Sequence, residues 1–291
     1  MSRFTLGVDI GGTHITAAVV DLANRRLLHE SIVRQPVDAS GSVANIIWGW
    51  SGAMRAAMSR SNERSELIGI AMPGPFDYEN GVALMQNQDK YDALYGINVK
   101  ALLAQSLQID LENIKFENDA SCFMKGEAFG GAAHTFNSAI GLTLGTGLGS
   151  AVIVNGRSWD ANLWDTPFQD GIAEAYLSSR WFVKRFCELS GKKATNVKSI
   201  ADQFSVDVNV RQLFSEFAGN LALFLSNFVK QEDPEVVVLG GNIAKAFPLF
   251  GEELQMKLRE RDIFIPVKIA ALGEEAALLG AASLWQDRSN V

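Results

Sequence analysis

The chain has 291 residues, 47% of them hydrophobic, which is enough for two domains with a sizeable core. Its 26 Lys and Arg against 33 Asp and Glu residues give a formal net charge of −7, which argues against nucleic acid as a main partner. No apolar run reaches the roughly 20 residues of a membrane span, and no signal peptide is recognisable. The two distant cysteines predict free thiols, so we expect a cytoplasmic protein without structural zinc.

The first part of the chain alternates strand and helix patterns. Short apolar runs predict strands at 4–9, 14–21, 27–34, 67–72 and 114–117. Apolar residues at helical spacing predict helices at 43–59 and 99–107. The first three strands are joined by tight turns, which is typical of an antiparallel meander.

A second unit follows, with a similar succession of predicted strands and helices. Strands are predicted at 138–144, 149–155, 235–239 and 263–269, and helices at 120–132, 172–190, 210–230 and 275–286. We therefore expect a duplicated α/β fold, with a first domain at 1–117, a second at 118–274, and the last helix (about 275–291) joined to the first domain.

A glycine–threonine loop follows the first strand of each unit. The first loop is formed by Gly11, Gly12 and Thr13, and the second by Gly145, Thr146 and Gly147. Glycine lets the backbone approach a ligand closely, and free N–H groups in such a turn can bind phosphate oxygens. Two such loops predict two contacts to one polyphosphate.

Asp9 ends the first predicted strand, directly before the first loop. A carboxylate near phosphates is repulsive unless a cation lies between them, and Mg²⁺ binds through one or two carboxylates, phosphates and water. The functional interpretation of Asp9 is therefore a magnesium ligand, acting with ATP through water. The alternative is an aspartate that caps a turn.

Asn118 and Asp119 lie where a strand ends and a helix begins. The functional interpretation is a general base, which removes a proton from a substrate hydroxyl, beside an asparagine that binds neighbouring hydroxyls. The alternative is an ordinary helix N-cap. Gly240 and Gly241 end a later strand, where a flat nucleoside could lie against the backbone, although simple turns use the same residues.

Together these motifs resemble the ROK family, which comprises bacterial sugar kinases, including glucokinases, and sugar-responsive repressors. The resemblance covers nearly the whole chain. The matching motifs, in order, are Asp9-Ile-Gly-Gly-Thr13, Pro73-Gly-Pro75 with Asp77, Asn118-Asp119 with Gly126-Glu127, Leu144-Gly-Thr-Gly-Leu-Gly149 and Leu239-Gly-Gly-Asn242. The resemblance implies a two-domain actin-like ATPase (ribonuclease H-like) fold, with duplicated α/β domains around a cleft that binds ATP and a hexose. It also implies a homodimer.

The resemblance further implies roles for individual residues. Asp119 corresponds to the base that deprotonates the sugar 6-hydroxyl, and Asn118 and Asn87 correspond to sugar ligands. The residues that correspond to the ATP-binding set are Asp9, Gly11, Gly12, Thr13, Gly145, Thr146, Gly147, Gly240 and Gly241.

The segment after the second hairpin departs from the family pattern. Most members carry a Glu-x-Gly-His motif and a cysteine-rich zinc loop that ends in Gly-Cys-x-Glu, whereas residues 155–170 contain neither the histidine nor the cysteines. Gly171-Ile-Ala-Glu174 still matches the end of that pattern, so Glu174 corresponds to a carboxylate on a sugar hydroxyl. Asp165, Gln169 or Asp170 are candidates for the missing ligands, and the sequence does not choose among them.

Three functions are compatible with these motifs. The first is an ATP-dependent hexose kinase that acts at the 6-hydroxyl, with glucose as the favoured substrate. The second is a kinase for N-acetylmannosamine or N-acetylglucosamine, because a pocket without the histidine has room for an acetamido group. The third is a sugar-binding sensor without catalysis, which the missing zinc loop favours and the intact Asp9, Asp119 and glycine loops oppose.

Overall fold

The computed structural model describes residues 3–63, 65–86 and 90–286. Two larger sheets and two short hairpins are built from strands of two to eight residues. The strands are β1 (Phe4–Ile10), β2 (His14–Asp21), β3 (Arg26–Leu27), β4 (Val33–Pro36), β5 (Ile68–Met72), β6 (Phe76–Asp77), β7 (Val82–Ala83), β8 (Ile114–Asn118), β9 (Ser138–Leu144), β10 (Leu148–Val154), β11 (Arg157–Asp160), β12 (Pro167–Phe168), β13 (Gly171–Ile172), β14 (Val236–Gly240) and β15 (Val267–Ile269).

Helices connect these strands and cover the sheets. The α-helices are α1 (Val43–Arg60), α2 (Val99–Leu107), α3 (Asp119–Gly130), α4 (Ala173–Leu177), α5 (Ser179–Ser190), α6 (Val197–Ala201), α7 (Val208–Glu232), α8 (Gly251–Arg259) and α9 (Glu275–Ala282). Short 3₁₀ helices lie at His29–Ser31, Asp92–Leu94, Leu111–Asn113, Ala244–Leu249 and Ser283–Trp285.

The chain divides into two compact units. The first runs up to His134 and includes 156–158 and the residues from Glu274 onward, and the second comprises Thr135–Asn155 and Trp159–Gly273. By this division α3 belongs to the first unit, whereas the sequence analysis begins the second domain at residue 118. The predicted α/β fold with two sheet-containing domains is confirmed. No helix in the described part of the chain combines the length and the hydropathy that a membrane crossing requires.

The sheet of the first unit has the strand order β3-β2-β1-β5-β8, with β4 paired to β2. β1 and β2 form an antiparallel hairpin, while β5 and β8 extend the sheet in parallel. On one face, the apolar side chains of β1 pack with α1, whose Trp50 is fully buried. Ser42 accepts a hydrogen bond from the backbone N–H of Asn45, which caps α1 and fixes where it begins.

The opposite face of this sheet is covered by α3 and α9. The two helices approach so closely that a Cβ atom on Gly280 would overlap the carbonyl oxygen of Cys122, and one on Gly126 would overlap that of Ala276. These glycines are therefore needed for backbone-to-backbone packing. This close packing against α9 fixes the position of α3, whose first residue is Asp119.

The second unit repeats the same topology with a different core. Its sheet order is β11-β10-β9-β14-β15, with a β9–β10 hairpin and two further strands in parallel, as in the first sheet. This repeated order agrees with the predicted duplication. The core is built largely on α7 and contains many phenylalanines, including Phe182, Phe214, Phe217 and Phe250.

Three predicted elements differ from the structure. The strand expected at 27–34 is interrupted by the 3₁₀ helix His29–Ser31, where the Ser31 hydroxyl bonds to the backbone of Val19 and Leu28. The helix expected at 172–190 is divided into α4 and α5, because the chain is extended at Ser178. The strand expected at 263–269 is only β15, since 263–266 form no strand pairs.

Candidate active site

The first glycine loop connects β1 to β2, and two hydrogen bonds of Gly11 hold it in place. The backbone N–H of Gly11 donates to the carbonyl of His14 over 2.9 Å, which closes the turn. The Tyr91 hydroxyl donates to the carbonyl of Gly11 over 2.6 Å, and burial raises the pKa of Tyr91 to about 12, so the hydroxyl keeps its proton. Gly12 and Thr13 remain exposed. The hydrogen bonds of Gly11 thus fix the loop, while Gly12 and Thr13 stay open to solvent.

Asp9 lies in β1 two residues before this loop and is partly exposed. Burial raises the pKa of Asp9 to about 7, and the negative charge of Asp119 adds to the effect. Glu274 acts in the same direction, whereas Arg34, which is ion-paired to Glu274, acts against it. A carboxylate that is costly to ionise beside a second carboxylate is an environment that a cation would stabilise.

The surroundings of Asp9 fit a Mg²⁺ ion that takes most of its ligands from elsewhere. In the part of the chain that the structure describes, no group of three or more His, Cys, Asp or Glu side chains is arranged to hold a metal. Mg²⁺ characteristically uses one or two carboxylates together with phosphate oxygens and water. Asp9 could supply such a carboxylate directly or through water.

Asp119 is the first residue of α3, directly after β8. Its side chain contacts solvent, yet desolvation by the surrounding protein raises the pKa of Asp119, while the charge of Lys90 lowers it. The carboxylate also accepts the backbone N–H of Ala120 over 2.9 Å. A raised pKa makes this aspartate a better proton acceptor than an ordinary surface carboxylate.

Asn118 is 6% exposed and serves as the N-cap of α3. Its amide oxygen accepts the backbone N–H of Ser121 over 3.0 Å, and its amide nitrogen lies 3.3 Å from the Tyr78 hydroxyl. The capping interpretation therefore describes its present contacts, and its role as a sugar ligand stays a prediction. Asn87 lies outside the described residues.

The second glycine loop connects β9 to β10. Gly145 donates its backbone N–H to Gly147 over 3.0 Å, and Thr146 is exposed. Glu174 accepts the backbone N–H of Leu148 over 3.0 Å and is ion-paired to Arg180. The carboxylate predicted to bind sugar is thus in contact with the first residue of β10, directly after the second glycine loop.

Gly240 ends β14, and Gly241 packs against Leu144, the residue before the second loop. Gly241 has a φ of +84°, and a Cβ atom there would overlap the carbonyl oxygen of Leu144, the residue before the loop. The same carbonyl accepts the backbone N–H of Ile243 over 3.0 Å. Only glycine satisfies both the backbone angle and this contact. The position therefore has a structural reason for glycine, and the nucleoside contact stays a prediction.

The three alternative sugar ligands are all exposed. Gln169 and Asp170 form the turn between β12 and β13, where Gln169 donates to Asn220 over 2.8 Å and Tyr176 donates to Asp170. Both border a cavity of about 540 Å³ that Glu174 does not line. Asp165 lies in the preceding turn. Asp165 directly follows Trp164, whose carbonyl accepts the backbone N–H of Glu174 over 2.9 Å. Which of the three replaces the missing ligands stays a prediction.

Comparison with known proteins identifies the family. The model of the ROK family matches residues 5–162 and 169–288. This chain belongs to the ROK family. The unmatched residues 163–168 lie within the segment that departs from the family pattern in sequence.

Curated relatives and solved structures of this ROK-family chain cover nearly its whole length. The N-acetyl-D-glucosamine kinases of Mannheimia succiniciproducens and Escherichia coli O127:H6 are each 26% identical, over 96% of this chain and 98% of theirs. The ROK hexokinase of Thermus thermophilus is 27% identical with a TM-score of 0.80, covering 96% of both chains. A ROK glucokinase of Streptomyces griseus, in complex with glucose and AMPPNP, is 24% identical with a TM-score of 0.76, covering 97% of this chain and 98% of that one. The predicted actin-like ATPase fold is confirmed.

Sequence reasoning missed three residues near the first loop or its aspartates, Arg34, Lys90 and Tyr91. In the second unit it missed Arg180, the ion-pair partner of Glu174. None belongs to a recognisable motif, and each comes near the site only through the fold. A buried tyrosine eighty residues from the glycine that it contacts leaves no local signal in the sequence.

Proposed function

We propose that this chain transfers the γ-phosphate of ATP to the 6-hydroxyl of a hexose, with glucose as the first candidate. The chain is an ATP-dependent hexose kinase, since the curated relatives and the two solved structures described above are sugar kinases. The observation that carries the proposal is the presence of Asp119, Asp9 and the first glycine loop in one unit, with the pKa values of both aspartates raised.

In the proposed reaction Asp119 accepts the proton of the sugar 6-hydroxyl. The oxygen attacks the γ-phosphorus of ATP, a new P–O bond forms, and the bond to the β-phosphate oxygen breaks to release ADP. Phosphoryl transfer needs positioning, charge neutralisation and one base more than it needs covalent chemistry by the protein. Mg²⁺, held through Asp9, would neutralise charge on the β- and γ-phosphates.

The remaining predicted residues have binding roles in this proposal. The backbone N–H groups of Gly11, Gly12 and Thr13 would bind phosphate oxygens, and those of Gly145, Thr146 and Gly147 would bind others. Gly240 and Gly241 would accommodate the adenosine, and Glu174, Asn118 and Asn87 would bind sugar hydroxyls. Assembly as a homodimer is proposed on the family resemblance alone, and sedimentation velocity would test it.

A second candidate substrate is an N-acetylhexosamine. Two observations favour it. The curated relatives, which this chain matches over 98% of their length, are N-acetyl-D-glucosamine kinases. The sequence also lacks the histidine that most family members carry after the second hairpin. An acetamido group is bulkier than a hydroxyl, so a pocket without that histidine would suit it.

A coupled ADP-release assay with Mg-ATP tests the proposal. The panel is glucose, mannose, fructose, glucosamine, N-acetylglucosamine, N-acetylmannosamine and allose, compared by kcat/KM. Asp119→Asn is the control for specific turnover and should lower kcat about 10²-fold or more, the usual scale for a general base. The glucose proposal fails if an N-acetylhexosamine is preferred at least tenfold. Sugar binding without any turnover would instead support the sensor alternative.

A further inference from the structure

Lys90 lies beside the first glycine loop. Its Cδ atom is 3.8 Å from the position that a Cβ atom on Gly12 would occupy, and the residue is partly exposed. The same side chain is close enough to Asp119 for its charge to lower the pKa of that carboxyl. Among the described residues, no carboxylate forms an ion pair with Lys90 within 4.0 Å. One cation therefore stands near both the loop and the candidate base.

The next residue fixes the backbone of Lys90 relative to the loop. Tyr91 is fully buried, with its ring edge-on to Trp50 at a centroid distance of 5.1 Å. Its backbone N–H donates to Ala39 over 2.7 Å, and its hydroxyl donates to Gly11 over 2.6 Å. Tyr91 adopts a left-handed conformation (φ +58°), which is unfavourable for a non-glycine residue. Its contacts hold the Lys90 backbone at the loop in spite of this strain.

Lys90 lies near the place where the proposed function puts the transferred phosphoryl group. The proposed function places the sugar hydroxyl at Asp119 and ATP phosphates at Gly11, Gly12 and Thr13. The transferred phosphoryl group must lie between the attacking oxygen and the rest of the nucleotide. Lys90 lies next to Gly12, and its charge also acts on Asp119, so we place it at the terminal phosphate rather than at the first two.

We propose that the Lys90 ammonium group binds the γ-phosphate of ATP and stabilises the charge on its equatorial oxygens in the transition state. This role rests on the proposed function. Arg34, whose charge acts on Asp9, is ion-paired with Glu274. Lys90 would complement Mg²⁺, because Asp9 would hold the ion, while the lysine acts on the transferred phosphoryl group.

A comparison of ATP with ADP tests this contact without requiring turnover. Isothermal titration of Lys90→Met with Mg-ATP should show affinity reduced about tenfold, the scale of one hydrogen bond to a charged group. Affinity for Mg-ADP should stay within twofold of the unsubstituted protein, because ADP lacks the γ-phosphate. Lys90→Arg should restore part of the ATP affinity, and Lys193→Met, at an exposed lysine, should change neither value.

Kinetics provide the second readout. With the preferred sugar, Lys90→Met should lower kcat about 10²-fold, the scale of one removed charge-stabilising donor, while the KM for the sugar stays within twofold. Unchanged ATP affinity and kcat would overturn the proposal, as would equal weakening of ATP and ADP. If Lys90→Met unfolds at lower temperature, Lys90→Gln replaces it. If the unsubstituted protein phosphorylates no sugar, the proposed function fails, while selective loss of ATP affinity still supports the Lys90 contact.

Discussion

Replacing Asp9 by Asn should raise the free energy of unfolding at pH 8. The same substitution should abolish the kinase activity of the protein. The folded state holds the proton of Asp9 up to a pKa of about 7, against an ordinary value of 3.8, chiefly because the carboxyl is buried. At 1.36 kcal/mol per pKa unit, keeping this charge at pH 8 costs at most about 4 kcal/mol. Because the side chain is partly exposed, solvent reduces the expected gain in Asp9→Asn to about 1–3 kcal/mol.

The sign of the pH dependence follows from the raised pKa. In the unfolded chain Asp9 ionises as the pH rises through 3.8, whereas in the folded state it stays protonated until about pH 7. Wild-type stability from this group is therefore present below pH 4 and is lost progressively up to pH 7. The advantage of the Asn variant should be absent near pH 4, grow up to pH 7 and remain constant above it.

Differential scanning calorimetry between pH 4 and pH 8, without nucleotide and with EDTA, measures this effect. At pH 8 the gain corresponds to a rise in Tm of roughly 2–10 °C. Asp110→Asn is the matched control at an exposed aspartate and should leave Tm unchanged. Mg-ATP should raise the Tm of the wild type more than that of the variant, since a ligand that binds the folded state more tightly stabilises it more. If the Tm difference between Asp9→Asn and the wild type is no larger at pH 8 than at pH 4, the reasoning is refuted.

Two further predictions concern the first unit. Gly280→Ala should lower the free energy of unfolding by about 1–3 kcal/mol or more, because its Cβ would overlap the Cys122 carbonyl, whereas Gly52→Ala, with open space around it in α1, should raise it by about 0.5–1 kcal/mol. Urea unfolding of both variants checks this, and equal effects would contradict the packing argument. Asp21→Asn should cost about 1–3 kcal/mol at pH 7, because hydrogen bonds from Arg3, then Asn24, hold the pKa of this buried carboxyl below its ordinary value. The loss should fade as the pH falls below 4, and a loss independent of pH would show that the charge is not involved.

The sequence by itself determined the elements that local patterns encode. Alternating and helical apolar spacings predicted most strands and helices, and the two glycine loops were located at the hairpins where the structure has them. The order of the motifs was sufficient to identify the family. These features depend on residues close together in the chain, so the sequence carries them directly.

Only the tertiary structure decided which distant residues surround each loop. The contact of Tyr91 with Gly11, the position of Lys90 beside Gly12, and the attachment of Glu174 to Leu148 all join segments far apart in sequence. The pKa of Asp9 likewise depends on burial and on the charge of Asp119, 110 positions away. Burial and electrostatic coupling arise from packing, and no local residue pattern specifies them.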